Sequence, residues 1–237
     1  MSIPAISDDA TQWSVAGKQA GREQALQALA AGQPLLVLMH GLGSHERDLF
    51  GLVPHLPQQF VCASLRAPLP AYTGSDGFAW FPLSLQPGGV LPEQASGHAK
   101  AAAERVLEWL DGLRSDVASH GGGLGQVAIM GFSQGGVMVT TLLRLRSEAF
   151  AAGVNCSGFV APGEFLGDAD LREKQPPLFW GRDDDEEVIS QAAMRACAQW
   201  SPLHTNLTER NYPGIGHSIS LAELKDISEF LNTHVAG

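Results

Sequence analysis

Apolar residues gather in short, nearly unbroken runs: Leu35-Leu36-Val37-Leu38-Met39, Phe60-Val61-Cys62-Ala63-Ser64-Leu65, Val127-Ala128-Ile129-Met130, Gly153-Val154-Asn155-Cys156 and Pro177-Leu178-Phe179-Trp180. A half-solvated strand would alternate apolar with polar positions, so these runs predict strands buried on both faces, as in a mostly parallel sheet. Between them the period changes. From His98 to Leu113 the residues Ala99, Ala102, Val106, Leu110 and Leu113 recur at three and four positions, a stripe suited to docking on a sheet. Further helices are expected from about Gln134 to Arg146, Val188 to Trp200 and Ser220 to His234, with a last strand over Thr205 to Asn211. The βα alternation predicts a doubly wound, three-layer α/β fold with helices on both faces of the sheet. The stretch from Arg66 to Pro92, rich in Pro, Gly and Ser and carrying Tyr72, Phe78, Trp80 and Phe81, reads as a long surface loop, a kind of segment that tends to be functional.

No internal repeat, low-complexity tract or flexible linker divides the 237 residues, so a single domain over 1–237 is expected. With 44% hydrophobic and 17% charged residues the chain is neither a disordered polyampholyte nor a coiled coil. Its formal charge of -10 repels phosphate backbones and anionic membrane surfaces, which argues against a nucleic-acid partner. No segment approaches the ~18 apolar residues of a membrane span, and the first residues lack a signal-peptide pattern. Cys62, Cys156 and Cys197 are odd in number and scattered, which fits a reducing compartment and not a disulfide framework or zinc knuckle. A cytoplasmic protein without integral membrane association is the expectation.

The chemistry centres on Gly131-Phe132-Ser133-Gln134-Gly135, a G-x-S-x-G placed between a predicted strand and a predicted helix. That context presents a serine hydroxyl on a sharp turn above the sheet, beside the free N–H groups of a helix start. Such a hydroxyl needs a base, and His217, in a glycine-rich loop between the last strand and the last helix, is positioned to reach the same crevice. The imidazole needs a carboxylate in turn, and Arg182-Asp183-Asp184-Asp185-Glu186-Glu187 follows a predicted strand between Ser133 and His217. Alternation of acids there lacks the glycine of a calcium loop, and His40 and His45 lack partners to complete a metal site, so no metal is expected. Oxyanion donors are expected from the N–H of Gln134 and from that of Leu42, in the turn His40-Gly41-Leu42-Gly43-Ser44. Leu42, Trp80, Phe81 and Phe159 are candidate walls of an acyl pocket.

Taken in order, His40-Gly41-Leu42-Gly43, Arg66-Ala67-Pro68, Trp80-Phe81-Pro82, Gly131-Phe132-Ser133-Gln134-Gly135-Gly136, Gly216-His217-Ser218-Ile219 and the helix from Glu223 to Leu231 make the chain resemble the phospholipase/carboxylesterase family of α/β-hydrolases. The resemblance implies Ser133 as nucleophile, His217 as general base, and Leu42 and Gln134 as oxyanion donors. For the acid, the family's spacing from the strand-ending glycine selects Asp184 after Gly181, while counting back from Val188-Ile189 favours Asp185 or Glu186; Asp184 ranks first and Asp185 second. Trp180 and Ser44 stand where the family usually carries His and Asp.

The implied activity is that of a serine carboxylesterase acting on short to medium acyl esters without cofactor, with a lysophospholipase or acyl-protein thioesterase as the alternative and a non-catalytic binding protein as a remote one. Only 51 positions separate Ser133 from Asp184, too few for a large lid. The expected partner is a small-molecule ester or thioester. The resemblance allows a homodimer, for which no exposed stripe in the sequence supplies an interface.

Overall fold

The computed structural model describes residues 2–83 and 93–235. The strands are β1 (Gln12–Val15), β2 (Lys18–Ala20), β3 (Leu35–Met39), β4 (Val61–Leu65), β5 (Leu69–Pro70), β6 (Phe78–Ala79), β7 (Val127–Phe132), β8 (Ala152–Cys156), β9 (Pro177–Arg182) and β10 (Asn206–Asn211). The helices are α1 (Arg22–Ala30), α2 (Glu93–Ser119), α3 (Gln134–Arg146), α4 (Asp168–Lys174), α5 (Gln191–His204) and α6 (Leu221–His234). Eight strands form one sheet in the order β10-β9-β8-β7-β3-β4-β1-β2, parallel from β10 to β4, with β1 and β2 added antiparallel at one edge.

The unbroken apolar runs follow from burial on two sides. In β3, Leu35, Val37 and Met39 join a core with residues of α1, α2, α3 and α5, whereas Leu36 and Leu38 face α6 and a 3₁₀ turn over Leu49–His55. All five β3 residues are therefore buried, and all five are apolar. The structure thus has the doubly wound α/β-hydrolase arrangement, with short β8–α4–β9 connections where a lid would be inserted.

Three elements lack a strong sequence signal. The β1–β2 hairpin turns on Ala16 and Gly17, both at positive φ, the geometry of a tight hairpin connection. Helices α1 and α4 are short, and α4 is mostly polar. Within the predicted loop from Arg66 to Pro92, β5 and β6 pair as a small ribbon and Ser44 bridges to Phe78; positions 84–92 lie outside the described residues. Among the described residues no helix is long and apolar enough to cross a membrane.

Candidate active site

Strand β7 ends at Phe132 and α3 begins at Gln134, so Ser133 alone makes the turn, with φ 54° and ψ −114°. A non-glycine residue held there stores about 1–3 kcal/mol of strain and must be fixed by its surroundings. Its N–H donates to the Cys156 carbonyl at 2.9 Å, and its own carbonyl accepts the N–H groups of Gly136 and Val137 at 2.9 and 3.2 Å. The flanking glycines are obligatory: a Cβ on Gly131 would overlap the Gly135 carbonyl, and one on Gly135 would overlap the Met39 carbonyl. The turn is thus clamped between β3, β8 and its own helix.

His217 lies in the loop that joins β10 to α6, whose N-terminus is capped by Ser220 Oγ accepting the Glu223 N–H at 3.1 Å. Its ring centroid is 4.7 Å from that of Phe132, the residue before Ser133. Nδ1 is 2.6 Å from Oε2 of Glu186, whose side chain is fully buried. A carboxylate can only accept, so Nδ1 carries the proton and the Nε2 lone pair of the neutral ring is left free. The second carboxylate oxygen, Oε1, accepts the Ile189 N–H at 2.7 Å.

The acid expected from spacing is therefore not the one that meets the imidazole. Asp184 is half exposed and turned away, paired with Arg182 Nη2 at 2.9 Å and with Asn211 Nδ2 at 2.7 Å. Asp185, the second choice, is also exposed. The displacement has a visible cause in Asp183, which is buried. Its Oδ1 accepts the Asp185 N–H at 3.0 Å, and its Oδ2 accepts those of Gly214 and Gly216 at 2.8 and 2.9 Å. Those N–H groups, of Asp185, Gly216 and Gly214, hold the Asp183 carboxyl below the ordinary carboxylate range. Asp183 through Asp185 form an extra turn stapled to the histidine loop, and the carboxylate facing His217 comes from beyond it.

On the opposite side of Ser133 the loop after β3 is held by a frame of buried hydrogen bonds. His40 Nε2 accepts the Ala67 N–H at 3.1 Å, which assigns the ring proton to Nδ1, 2.8 Å from the Gly41 carbonyl. Burial pushes the His40 imidazole down to about 4, so it stays neutral. The Trp80 indole N–H donates to the His40 carbonyl at 2.8 Å, and Gly43 and Phe78 exchange the loop onto β6 through Gly43 N–H to Phe78 O at 2.9 Å. The Gln134 side chain completes the frame by accepting the Trp80 N–H at 2.9 Å and donating to the Phe81 carbonyl at 2.8 Å. Among the described residues no backbone hydrogen bond ties up the Leu42 N–H, and the Gln134 N–H lies at a helix start where none is available.

A model of the phospholipase/carboxylesterase family matches residues 25–235. The chain belongs to this family. A carboxylesterase of Arabidopsis thaliana, SOBER1, is 29% identical over 113 residues, covering 47% of this chain and 50% of its own, so the match spans about half the length of that relative. A probable carboxylesterase of Oryza sativa subsp. japonica, Os04g0669600, is 25% identical over 220 residues, 88% of this chain and 92% of its own. Among solved structures, a carboxylesterase from Mesorhizobium loti superposes with a TM-score of 0.70 at 17% identity, covering 98% of this chain and 99% of that one, a likeness of fold.

Against that family background two features stand out. Trp80 and Phe81, expected as pocket walls, are fully buried members of the core, as is Phe159. Their side chains meet no solvent, and what Trp80 and Phe81 supply is the frame just described, through one indole N–H and two backbone groups. Glu223, at the start of α6, is the second feature. Its side chain is turned into the protein, filling the space a Cβ on Gly181 would need, and neither oxygen makes a regular hydrogen bond among the described residues. Burial raises its carboxyl to about 7, an effect that the neighbouring Cys156 thiol only partly offsets. The sequence signal for this was Ser220-x-x-Glu223, which reads as a capping box although the glutamate points inward.

Proposed function

We propose that the protein is a serine carboxylesterase in which Ser133, His217 and Glu186 act as nucleophile, general base and orienting acid. The observation that carries this reading is the 2.6 Å contact between His217 Nδ1 and Glu186 Oε2, with the His217 ring packed 4.7 Å from that of Phe132, the residue before a serine in a strained strand-to-helix turn. Glu186 fixes the tautomer and stabilises the imidazolium, so Nε2 takes the Ser133 proton as the hydroxyl attacks the ester carbonyl. The tetrahedral oxyanion is met by the N–H groups of Leu42 and Gln134, each worth about 3–4 kcal/mol in such sites. His217 then passes the proton to the leaving oxygen, and water repeats the sequence on the acyl-enzyme.

No step requires a redox or carbonyl-activating group from outside the chain. The short β8–α4–β9 connections favour short to medium acyl chains in an open cleft, and one continuous sheet supports a single functional domain. Carboxylesterase relatives support an ester as the small-molecule substrate. A fluorophosphonate probe, followed by peptide mapping, is expected to label Ser133, and p-nitrophenyl esters of increasing chain length run beside an acyl-thioester are expected to show turnover that peaks below long chains. Absence of label at Ser133 in folded protein would sink the assignment.

A further inference from the structure

This inference rests on the esterase reading above. In acyl transfer, protonated His217 must deliver its proton to the departing oxygen, so the leaving group lies on the His217 side of Ser133. At His217 and Phe132, the residue before Ser133, the structure has a cavity of about 200 Å³ bounded by Phe132, His217, Ser218 and Ile219 on one side and by Asp48, Leu49 and Leu52 on the other. Cavities that enclose a whole small ligand run to roughly 300–1,000 Å³, so this one suits a part of a substrate. The walls contributed by Phe132, Ile219, Leu49 and Leu52 are apolar, and Asp48 is the acid on the rim. Its Oδ2 accepts the Ser44 hydroxyl at 2.7 Å, and among the described residues it enters no ion pair. Arg66, nearby in the same frame, is already committed to Glu46 through hydrogen bonds of 2.7 and 2.6 Å, and Arg47 does not line the cavity.

We infer that this cavity is the leaving-group subsite, and that Asp48 makes it select esters of uncharged or cationic alcohols over esters of anionic ones. The subsite is small, with apolar walls suited to a branched alcohol, and among the described residues that line it the unpaired acid is Asp48, in a chain of net charge -10. A unit charge pair at contact distance in water is worth roughly fivefold in a rate constant, which sets the scale of the effect.

The test compares kcat/KM for three butyrate esters of similar size: the choline ester, its neutral isostere with carbon in place of nitrogen, and the isethionate ester. The expected order is choline at or above the isostere, with isethionate roughly fivefold or more below it. Asp48→Asn, which keeps the Ser44 hydrogen bond, is expected to bring the isostere-to-isethionate ratio close to one. Leu52→Trp, checked for folding by its thermal transition, is expected to lower the isostere-to-ethyl-butyrate ratio by about tenfold. An enzyme that labels with fluorophosphonate but hydrolyses the three esters equally or not at all, or a charge preference untouched by Asp48→Asn, overturns the subsite. Failure to label Ser133 would instead overturn the esterase reading on which it stands.

Discussion

Ser133 and His217 reach the same edge of the sheet by different means. Ser133 is placed by backbone sterics: a one-residue turn at φ 54°, two glycines with no room for a Cβ, and hydrogen bonds between main-chain groups. His217 is placed by side-chain carboxylates. Asp183 staples the loop through Gly214 and Gly216, and Glu186 orients the ring. The first arrangement tolerates almost no change in local sequence, because main-chain groups of β3 and β8, the Met39 and Cys156 carbonyls among them, press directly on the turn. The second tolerates an extra turn between Gly181 and the orienting acid, because Asp183 re-anchors the displaced segment.

Ser133→Ala tests the side that sterics built. The alanine inherits the same strained turn, so the fold is retained while kcat falls on the order of a millionfold, as for nucleophile loss in triads generally; circular dichroism and ester turnover on the same sample check both halves. On the other side the contrast is between two neighbouring acids. Glu186→Gln should cost about 10³–10⁴-fold in kcat by spoiling the tautomer, while Asp184→Asn, altering a half-exposed ion pair, should leave turnover within about twofold. The reverse result would restore the spacing-based assignment.

Asp183→Asn sharpens the comparison further. It replaces one of two accepting oxygens with a donor facing backbone N–H groups, and a loop displaced by about an ångström can cost on the order of a hundredfold in kcat. Because Asp183 acts through His217, KM should move far less than kcat, and the acid limb of the pH–rate profile should shift with it. An unchanged profile alongside a reduced Tm would reduce Asp183 to a structural role.

The smallest effect concerns Glu223. Its folded value of about 7 lies above the ordinary 4.5, so its neutral form is favoured by folding. The protein is stable with respect to this group below pH 4.5, and stability is lost as pH rises from there through about 7, by at most about 3 kcal/mol. Glu223→Gln should remove that decline and raise Tm at pH 8 by a few degrees, with little gain at pH 4.

These differences also explain what could be read from the chain. Strand β3 and helix α3 coincide with their apolar patterns to the residue, because burial on both faces of β3 and the glycine-flanked turn before α3 leave marks at fixed local offsets. Ser133 stands in the strand-to-helix turn that this pattern predicts, and His217 in the predicted loop between the last strand and the last helix. The carboxylate that meets His217 was not legible, since six residues from Arg182 to Glu187 include five acids and only tertiary hydrogen bonds distinguish them. The pattern Val188-Ile189, measured backwards, was the better ruler because Ile189 N–H is bonded to Glu186 itself. Trp80 and Phe81, expected as pocket walls, lie buried with His40 and Gln134 as partners, a placement that a Pro- and Gly-rich stretch does not reveal.

Gln134 joins two tasks in one residue. Its main-chain N–H belongs to the helix start beside Ser133, while its amide side chain holds the ribbon bearing Trp80 and Phe81 against the loop of His40 and Leu42. A substitution of that side chain leaves the main-chain N–H in place and unhooks the ribbon, so the rigidity of this wall can be altered without removing a group from the helix start beside Ser133.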